Sequence, residues 1–287
     1  MSENKSRKRP VGFWLSSTWL GLIVFVAIFN PWLGGPEWDF PWEDALGVGP
    51  FSPGHLLGTT QSGFDVLAGI RNGARLSVLV AVISVGVGGS IGAFIGVTAA
   101  YFRGTYDKIV NLMFNVMLSI PNLVLSLALI AVLASGTNTA PASDSRRVVV
   151  LVISLTIVII PILGRIARST TLQWASREFV LASKSMGTRN FEIIRKHILP
   201  NIAPAILAIG FFAIGVVIIA EGSLSILGIG IPGGASWGSM LSIGRGYMEF
   251  SPQEVYMPVI CIALTVIACN YFGDYVRTQL DKREAKI

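Results

Sequence analysis

Residues 76–102 read LSVLVAVISVGVGGSIGAFIGVTAAYF, an apolar run without a single charged side chain. About 20 residues of this kind suffice to cross the ~30 Å hydrocarbon core of a bilayer as an α-helix. Because the run is continuous rather than alternating, it indicates a helix and not a barrel strand. This stretch decides the class of the fold, since an apolar helix of such length belongs in a membrane.

The composition of the whole chain favours the same class. Of its 287 residues, 52% are hydrophobic and only 13% are charged, and the mean hydropathy is +0.66. Charged residues make up about a quarter of an average soluble domain. The composition therefore argues against a soluble globular enzyme and favours a protein with several transmembrane segments.

Five further apolar runs are long enough to span a bilayer, so we predict an all-α membrane protein with six transmembrane helices. The runs cover residues 11–33, 109–134, 148–166, 202–229 and 255–276. They divide the chain into a basic N-terminus (1–10), a first transmembrane helix (11–33), an external segment (34–75), a five-helix core (76–278) that contains a polar loop (167–201), and a tail (279–287). The external segment begins with acidic and Trp-rich sequence, which is typical of the headgroup region.

The distribution of positive charge predicts the orientation of these helices. Loops on the cytoplasmic side of a membrane carry an excess of Lys and Arg. If the N-terminus is cytoplasmic, all but five of the 22 Lys and Arg residues lie inside, the exceptions being Arg71, Arg75, Arg146, Arg147 and Arg245. We therefore expect both termini to be cytoplasmic.

The sequence offers little support for catalysis or for metal binding. Two histidines, His55 and His197, and two cysteines roughly 12 Å apart along one predicted helix make a metal site implausible. Residues 88–92 match the G-x-S-x-G string of serine hydrolases. They lie within a predicted helix, however, where Gly88, Gly92 and Gly96 form a small-xxx-small ridge suited to helix packing. No G-x-x-x-x-G-K-[ST] phosphate loop occurs in the sequence, so we predict no nucleotide site and no cofactor in this chain.

The segment SREFVLASKSMGTRNFEIIRKHILPN, Ser176–Asn201, predicts two short helices joined at a glycine. Ser176 is a candidate cap for the first helix, and Gly187 is expected at a positive φ after that helix ends. Asn190 is a candidate cap for a second helix over 191–198, which Pro200 would close. The apolar positions of the first helix share one face by their spacing: Phe179, Val180, Ala182 and Met186. On composition alone, this cationic segment could equally lie on anionic lipid or bind a partner protein.

Four polar residues within the apolar runs are candidates for lining a path. Asn115, Ser119 and Asn122 recur at helical spacing, although they could equally bond to a neighbouring helix. Glu221 lies within a predicted span, and an intramembrane carboxylate suggests a function. It could instead pair with Arg245 or cap a backbone break beside Gly222.

The segment Ser176–Asn201 resembles the coupling loop of binding-protein-dependent ABC importer permeases, the E-A-A-x-x-x-G element with its H-x-L-P-like tail. Leu181 and Ser183 stand where that motif has Glu and its second Ala. The resemblance implies that this loop receives the ATPase subunits, through Glu178, Phe179, Ala182, Ser183, Gly187, His197, Leu199 and Pro200.

Two further stretches resemble the C-type subunit of oligopeptide and dipeptide permeases. Residues 55–77 are similar to its external signature, with Thr60 and Phe64 where that signature has Asp and Arg, and residues 221–247 are similar to its fifth-helix exit and re-entrant loop. The resemblance implies a non-enzymatic permease subunit of the bacterial inner membrane that imports short peptides. It also implies as partners a homologous permease, two ATPase subunits that bind ATP and Mg, and an external substrate-binding protein. Nickel or glycoconjugate importers of the same branch remain alternatives, and a secondary transporter or a structural scaffold would be less consistent with these motifs.

Overall fold

The computed structural model describes residues 11–34, 38, 40–135, 144–231, 233 and 236–284. The predicted basic N-terminus (1–10) and the end of the predicted tail lie outside this range. The helices are α1 (Val11–Phe29), α2 (Val66–Phe102), α3 (Gly104–Ser119), α4 (Asn122–Ser135), α5 (Asp144–Ala175), α6 (Glu178–Ser185), α7 (Asn190–Ile193), α8 (Leu199–Leu224), α9 (Trp237–Gly244) and α10 (Gln253–Glu284). Two isolated bridges, Ser52 with His55 and Thr59 with Asp65, are the β-pairing in the described part of the chain.

Several helices extend beyond the apolar runs that predicted them. The α2 helix begins at Val66, ten positions before the run at residue 76, because Asp65 caps it: its Oδ1 accepts a hydrogen bond from the Ala68 amide at 2.8 Å. The α5 helix likewise reaches Ala175 rather than residue 166. Hydropathy marks the part of a helix that crosses the hydrocarbon core, whereas caps and backbone geometry determine where the helix ends.

The third apolar run is not one straight helix, which corrects the prediction for residues 109–134. The helices α3 and α4 meet at an angle of 96°, and Ile120 between them has an extended backbone with ψ 129°. The residue before a proline is disfavoured in helical geometry, so Pro121 accounts for the break. Five helical stretches among the described residues are long and apolar enough to span a membrane, and the bent pair makes six if it counts as one span.

The glycines of α2 allow its close approach to α5. A Cβ at Gly88 would lie 2.6 Å from the Thr156 carbonyl oxygen, and Cβ atoms at Gly92 and Gly96 would collide with the carbonyl oxygens of Ile160 and Gly164. Ser90 hydrogen-bonds the Gly86 carbonyl one turn back. The G-x-S-x-G string of residues 88–92 is thus part of a helix-packing surface, as the small-xxx-small interpretation predicted.

The segment predicted to be external (34–75) folds against the start of α10. Gln253 Nε2 donates to the carbonyl oxygens of Val48 (3.2 Å) and Thr59 (3.0 Å). The Gln61 amide donates to Glu254 Oε1 at 2.7 Å. Trp38 Nε1 donates to the Gly233 carbonyl at 2.8 Å. These contacts place the segment before α2 and the segment between α8 and α10 at the same end of the helix bundle.

Candidate functional site

The first arm of the Ser176–Asn201 segment is α6. Its N-cap is Arg177, whose backbone is extended and whose side chain makes no capping bond. The predicted cap, Ser176, instead donates from Oγ to the Gln173 carbonyl at 2.9 Å. The prediction was wrong because α5 reaches Ala175, which leaves Ser176 bonded to the last turn of the preceding helix.

Gly187 ends α6 with a positive φ of +80°, as predicted. The Thr188 amide bonds the Ser183 carbonyl at 3.2 Å, and the Gly187 amide bonds the Lys184 carbonyl at 3.1 Å. This pair of bonds is the Schellman motif, which satisfies the last carbonyls of a helix. A Cβ at Gly187 would meet no atom within 4 Å, so the requirement for glycine comes from the backbone conformation and not from space.

The second arm begins at Asn190 and continues without a stop into α8. Asn190 is not its cap, because Arg189 holds that position and Asn190 Oδ1 accepts a hydrogen bond from the Tyr101 hydroxyl at 2.9 Å. Pro200 does not close this arm, which corrects the second part of the prediction. A π-helical turn over Ile194–Ile198 joins α7 to α8, with Pro200 in the first turn of α8. Proline is tolerated there because an amide in the first turn needs no intrahelical partner.

We call the segment Ser176–Asn201, with its two arms, the elbow. One face of the elbow is packed against the ends of α2 and α5. Val180, Ile193 and Ile198 are buried in one cluster with Tyr101 of α2 and Ala167 of α5. Ser183 is also buried and bonds the Phe179 carbonyl at 2.9 Å. The inward face of α6 is therefore formed by Val180 and Ser183, three residues apart. The predicted apolar face is divided, since Val180 is buried whereas Phe179, Ala182 and Met186 are exposed.

The opposite face of the elbow is apolar and exposed. We define the coupling surface as Phe179 (43% exposed), Leu181 (52%), Met186 (76%) and Phe191 (74%). The other residues assigned to the loop lie around it: Glu178, Ala182, Leu199 and Pro200 are exposed, and the His197 ring is half-buried with its centroid 5.9 Å from that of Phe179. Apolar side chains exposed on a segment predicted to lie outside the membrane are typical of an interaction surface.

The candidate path residues fall into two separate places. Asn115 and Ser119 are exposed on α3, and Asn122 is exposed at the first position of α4, beyond the bend. The three therefore do not share one continuous helical face, because the break before Pro121 turns α4 away. Ser119 donates from Oγ to the Val116 carbonyl at 2.7 Å.

Glu221 is fully buried within this chain and lies on no surface with the other three residues. Its Oε1 accepts hydrogen bonds from the hydroxyls of Ser236 (2.6 Å) and Ser225 (3.1 Å), and its Oε2 accepts from Ser77 (3.3 Å). Arg245, the partner considered from sequence, is exposed. The Glu221 carboxyl group is therefore bonded to three serine hydroxyl groups and not to a cation. We call this group of residues the Glu221 cage.

The Glu221 cage fixes the short helix α9. Ser236 is the N-cap of α9 and forms a capping box with Ser239. Ser77 of α2 accepts a hydrogen bond from the Trp237 amide at 3.2 Å, and Trp237 itself is fully buried. Glu221 therefore joins α8, α9 and α2 through three serines.

Sequence reasoning missed several of these contacts. A bidentate ion pair joins Arg168 of α5 to Asp107 of α3, with Nε–Oδ1 at 2.6 Å and Nη2–Oδ2 at 2.7 Å. Neither residue lies in a motif, and no local signal marks a pair 61 positions apart. The capping box at Ser236 could have been found, because a serine three positions before another hydroxyl-bearing residue at a helix start is a local pattern.

Comparison with known proteins gives a consistent result. A family model described as the binding-protein-dependent transport system inner membrane component matches residues 92–286. A glutathione transport system permease protein of Shigella dysenteriae serotype 1 is 32% identical over 264 residues, covering 91% of this chain and 83% of that protein. The protein of the same name from Pectobacterium atrosepticum is 33% identical over 241 residues, covering 84% of this chain and 76% of its own length.

A solved structure shares the fold. A chain of the inward-facing MetNI methionine ABC transporter matches with a TM-score of 0.60 at 19% identity, covering 72% of this chain and 94% of that one. A sequence identity this low supports a shared fold and nothing further. The family model and the relatives, in contrast, match most of the sequence. The chain belongs to the family of inner-membrane components of binding-protein-dependent transport systems and is a permease subunit of an ABC importer.

Proposed function

We propose that this chain forms half of a translocation pathway for short peptides, with glutathione as the leading candidate solute. The observation that carries the proposal is the similarity over 91% of the chain to permeases named for glutathione transport. That similarity favours a peptide over the nickel or glycoconjugate solutes that other importers of the branch carry. A homologous permease would supply the other half of the pathway.

The exposed polar side chains of the α3–α4 bend are the best candidates for contact with the solute. Asn115, Ser119 and Asn122 point away from the core of this chain and are available to a second subunit or to a water-filled path. Glu221 is enclosed by its own chain, so we assign it to holding α9 rather than to solute contact.

The coupling surface is the proposed contact for the ATPase subunits, which would bind ATP and Mg. The elbow is packed onto α2 and α5 through Val180 and Ile193, so a push on its exposed face would pass to two spanning helices. Glu192 and Lys196 pair on its surface at 2.5 Å, and the Arg177 guanidinium lies 5.4 Å from the centre of the Trp174 ring. The mechanism we propose is alternating access, in which closure of the ATPases moves the elbow and tilts the helices.

The test is uptake by the complete complex in liposomes. The permease pair and ATPases are reconstituted with ATP in the lumen, and binding protein with radiolabelled glutathione is added outside. We expect accumulation that requires ATP and the binding protein, and no ATP hydrolysis by the permease pair without its ATPases. ATP-dependent uptake of nickel but not of glutathione would contradict the peptide assignment. Hydrolysis by the permease pair alone would contradict the assignment of the energy source.

A further inference from the structure

A cavity lies where the end of α4, the start of α5 and the residues that follow α8 meet. It has a volume of about 290 Å³. Its wall combines two arginines with apolar side chains, among them Arg146, Arg147, Ile130, Val150, Leu151 and Ile229. Gly228 and Gly230, which follow α8, also line the cavity, and Gly228 has a positive φ of +84°.

This cavity lies at the end of the molecule that the predicted orientation places outside. Its Gly228–Gly230 wall directly precedes Ile231 and Gly233, and the Gly233 carbonyl accepts the hydrogen bond of Trp38 from the external segment. Cations are unusual on the external side of a membrane protein, so two adjacent arginines there call for a reason. The other external arginine with a described bond, Arg71, contacts the Gly34 carbonyl through Nη1.

Neither Arg146 nor Arg147 is neutralised by an acidic side chain within the described residues. The ion pairs found there are His55 with Asp65, Arg168 with Asp107, and Lys196 with Glu192. Two guanidinium groups beside an apolar wall create a site of positive potential next to a region of low dielectric constant. Guanidinium groups bind carboxylates in a planar, bidentate geometry, and such charge-assisted bonds are stronger where water is partly excluded.

The shape of the cavity favours a small solute with an anionic end. Pockets for small organic ligands have volumes from about 300 Å³ upward, so this cavity would enclose part of a short peptide and not a large solute. The apolar wall would cover the aliphatic part while the arginines meet the carboxylate.

We propose that this cavity is an external binding site for the carboxylate end of the solute, occupied between release from the binding protein and passage through the membrane. The inference rests on the proposed function, since it names a contact for the peptide that the permease imports. The arginines hold the terminal carboxylate, and neutral or esterified peptides bind less well.

The test measures occupancy directly by protection of a cysteine in the cavity wall. Ala134, which also lines the cavity, is replaced by cysteine in a background in which Cys261 and Cys269 are alanine. The complete complex in nanodiscs is treated with a small methanethiosulfonate reagent, and the labelling rate is followed with S-methylglutathione or with its glycine ethyl ester, neither of which carries a thiol that would consume the reagent. We expect S-methylglutathione to protect Ala134→Cys at concentrations about tenfold lower than its ester, since a charge-assisted bond contributes about that factor.

The double variant Arg146→Gln/Arg147→Gln is expected to abolish the difference between S-methylglutathione and its ester. Arg245→Gln, which changes an exposed cation outside the cavity, is the matched control and should retain it. Equal protection by acid and ester in the parent protein, or an unchanged difference in the double variant, would overturn the site.

Two further outcomes separate this inference from the proposed function. Uptake of glutathione without any protection of Ala134→Cys would refute the site and leave peptide import standing. Protection without uptake would support the site and refute glutathione import.

Protection by phosphatidylglycerol nanodiscs in the absence of peptide, relative to phosphatidylcholine nanodiscs, would show that a lipid phosphate occupies the cavity, and this too would overturn the proposal.

Discussion

Gly187 connects the two arms of the elbow through a backbone conformation that other residues adopt at a cost. A left-handed conformation costs an L-residue roughly 1–2 kcal/mol, and a β-branched residue more. Since a Cβ there would meet no atom within 4 Å, a substitution acts on the chain direction and not through a clash. A substitution at Gly187 would change the angle between the second arm and α6. The spacing between Met186 and Phe191 on the coupling surface would then change as well.

We therefore predict a ranked series at this position. Gly187→Asn should retain coupling, because asparagine tolerates the left-handed region, whereas Gly187→Ala should reduce it and Gly187→Val should reduce it most. The measurement is ATP hydrolysis by the reconstituted complex with and without loaded binding protein, together with a pull-down of the ATPases. Gly210→Val is the control, since Gly210 is helical and its Cβ would also meet no neighbour. A lipid-surface helix would tolerate all three changes equally, so wild-type stimulation in Gly187→Val would refute the coupling role.

Residue-level predictions from sequence succeeded where the determining interaction is local. The positive φ of Gly187 follows from glycine at a helix end, and the packing of Gly88 against Thr156 follows from small residues four apart. The caps assigned to Ser176 and Asn190 were wrong because each depends on where the neighbouring helix stops. The partners of Glu221 were not predictable, since Ser77 lies 144 positions away and comes close only after α2 and α8 pack.

At the scale of elements, Glu221 holds the short helix α9 in place. Its two carboxyl oxygens accept hydrogen bonds from Ser77, Ser225 and Ser236, and Ser236 in turn caps α9. A Cβ at Gly238 would lie 2.7 Å from Gly222 Cα, so α9 and α8 are in backbone contact beside the carboxyl group.

Glu221→Ala should therefore destabilise the protein by about 2–3 kcal/mol, because it leaves buried hydroxyl groups without their acceptor. The expected result is a lower midpoint of thermal unfolding for the purified complex and faster proteolysis between residues 225 and 247. Glu249→Ala, which removes an exposed acid, is the control and should change neither. If Glu221→Ala kept the wild-type midpoint but lost transport, the residue would act on the solute and the structural assignment would be wrong.

The bend at Pro121 shows what hydropathy alone misses at this scale. Residues 109–134 are uniformly apolar, so a hydropathy window treats them as one span, yet the helices on either side differ in direction by 96°. The signal was present in the Ile120-Pro121 dipeptide, because a residue before proline avoids helical geometry. The π-helical turn over Ile194–Ile198 had the opposite effect, since it let the chain continue where Pro200 suggested a stop.

At the scale of the whole molecule, the polar segments gather at two opposite ends. The external segment, Gly233 and the start of α10 contact one another at one end. The elbow, Tyr101 and the Arg168–Asp107 pair lie at the other, where α2 and α5 end. The second end carries most of the positive charge of the described loops, and a cationic end favours the cytoplasmic side. This arrangement fits the predicted orientation and identifies the residues that can test it.

The orientation predicts opposite labelling of two cysteines. Ser62 is exposed in the external segment and Ser185 is exposed at the end of α6, whereas Ser183 is buried, so Ser185 is the better reporter in the elbow. In a background with Cys261 and Cys269 replaced by alanine, and without the ATPase subunits, Ser62→Cys should react with an impermeant maleimide in intact spheroplasts. Ser185→Cys should react only after permeabilisation, because the membrane separates it from the reagent.

Ser183→Cys is the matched control for the local structure of the elbow. It lies two residues from Ser185 on the same helix but faces Val180 and the ends of α2 and α5, so it should stay slow to react even after permeabilisation. Equal reactivity at 183 and 185 would mean that α6 is not packed on the bundle as described. Labelling of Ser185→Cys in intact spheroplasts would invert the orientation. It would also place the coupling surface where no ATP is available and so remove the basis for its proposed role.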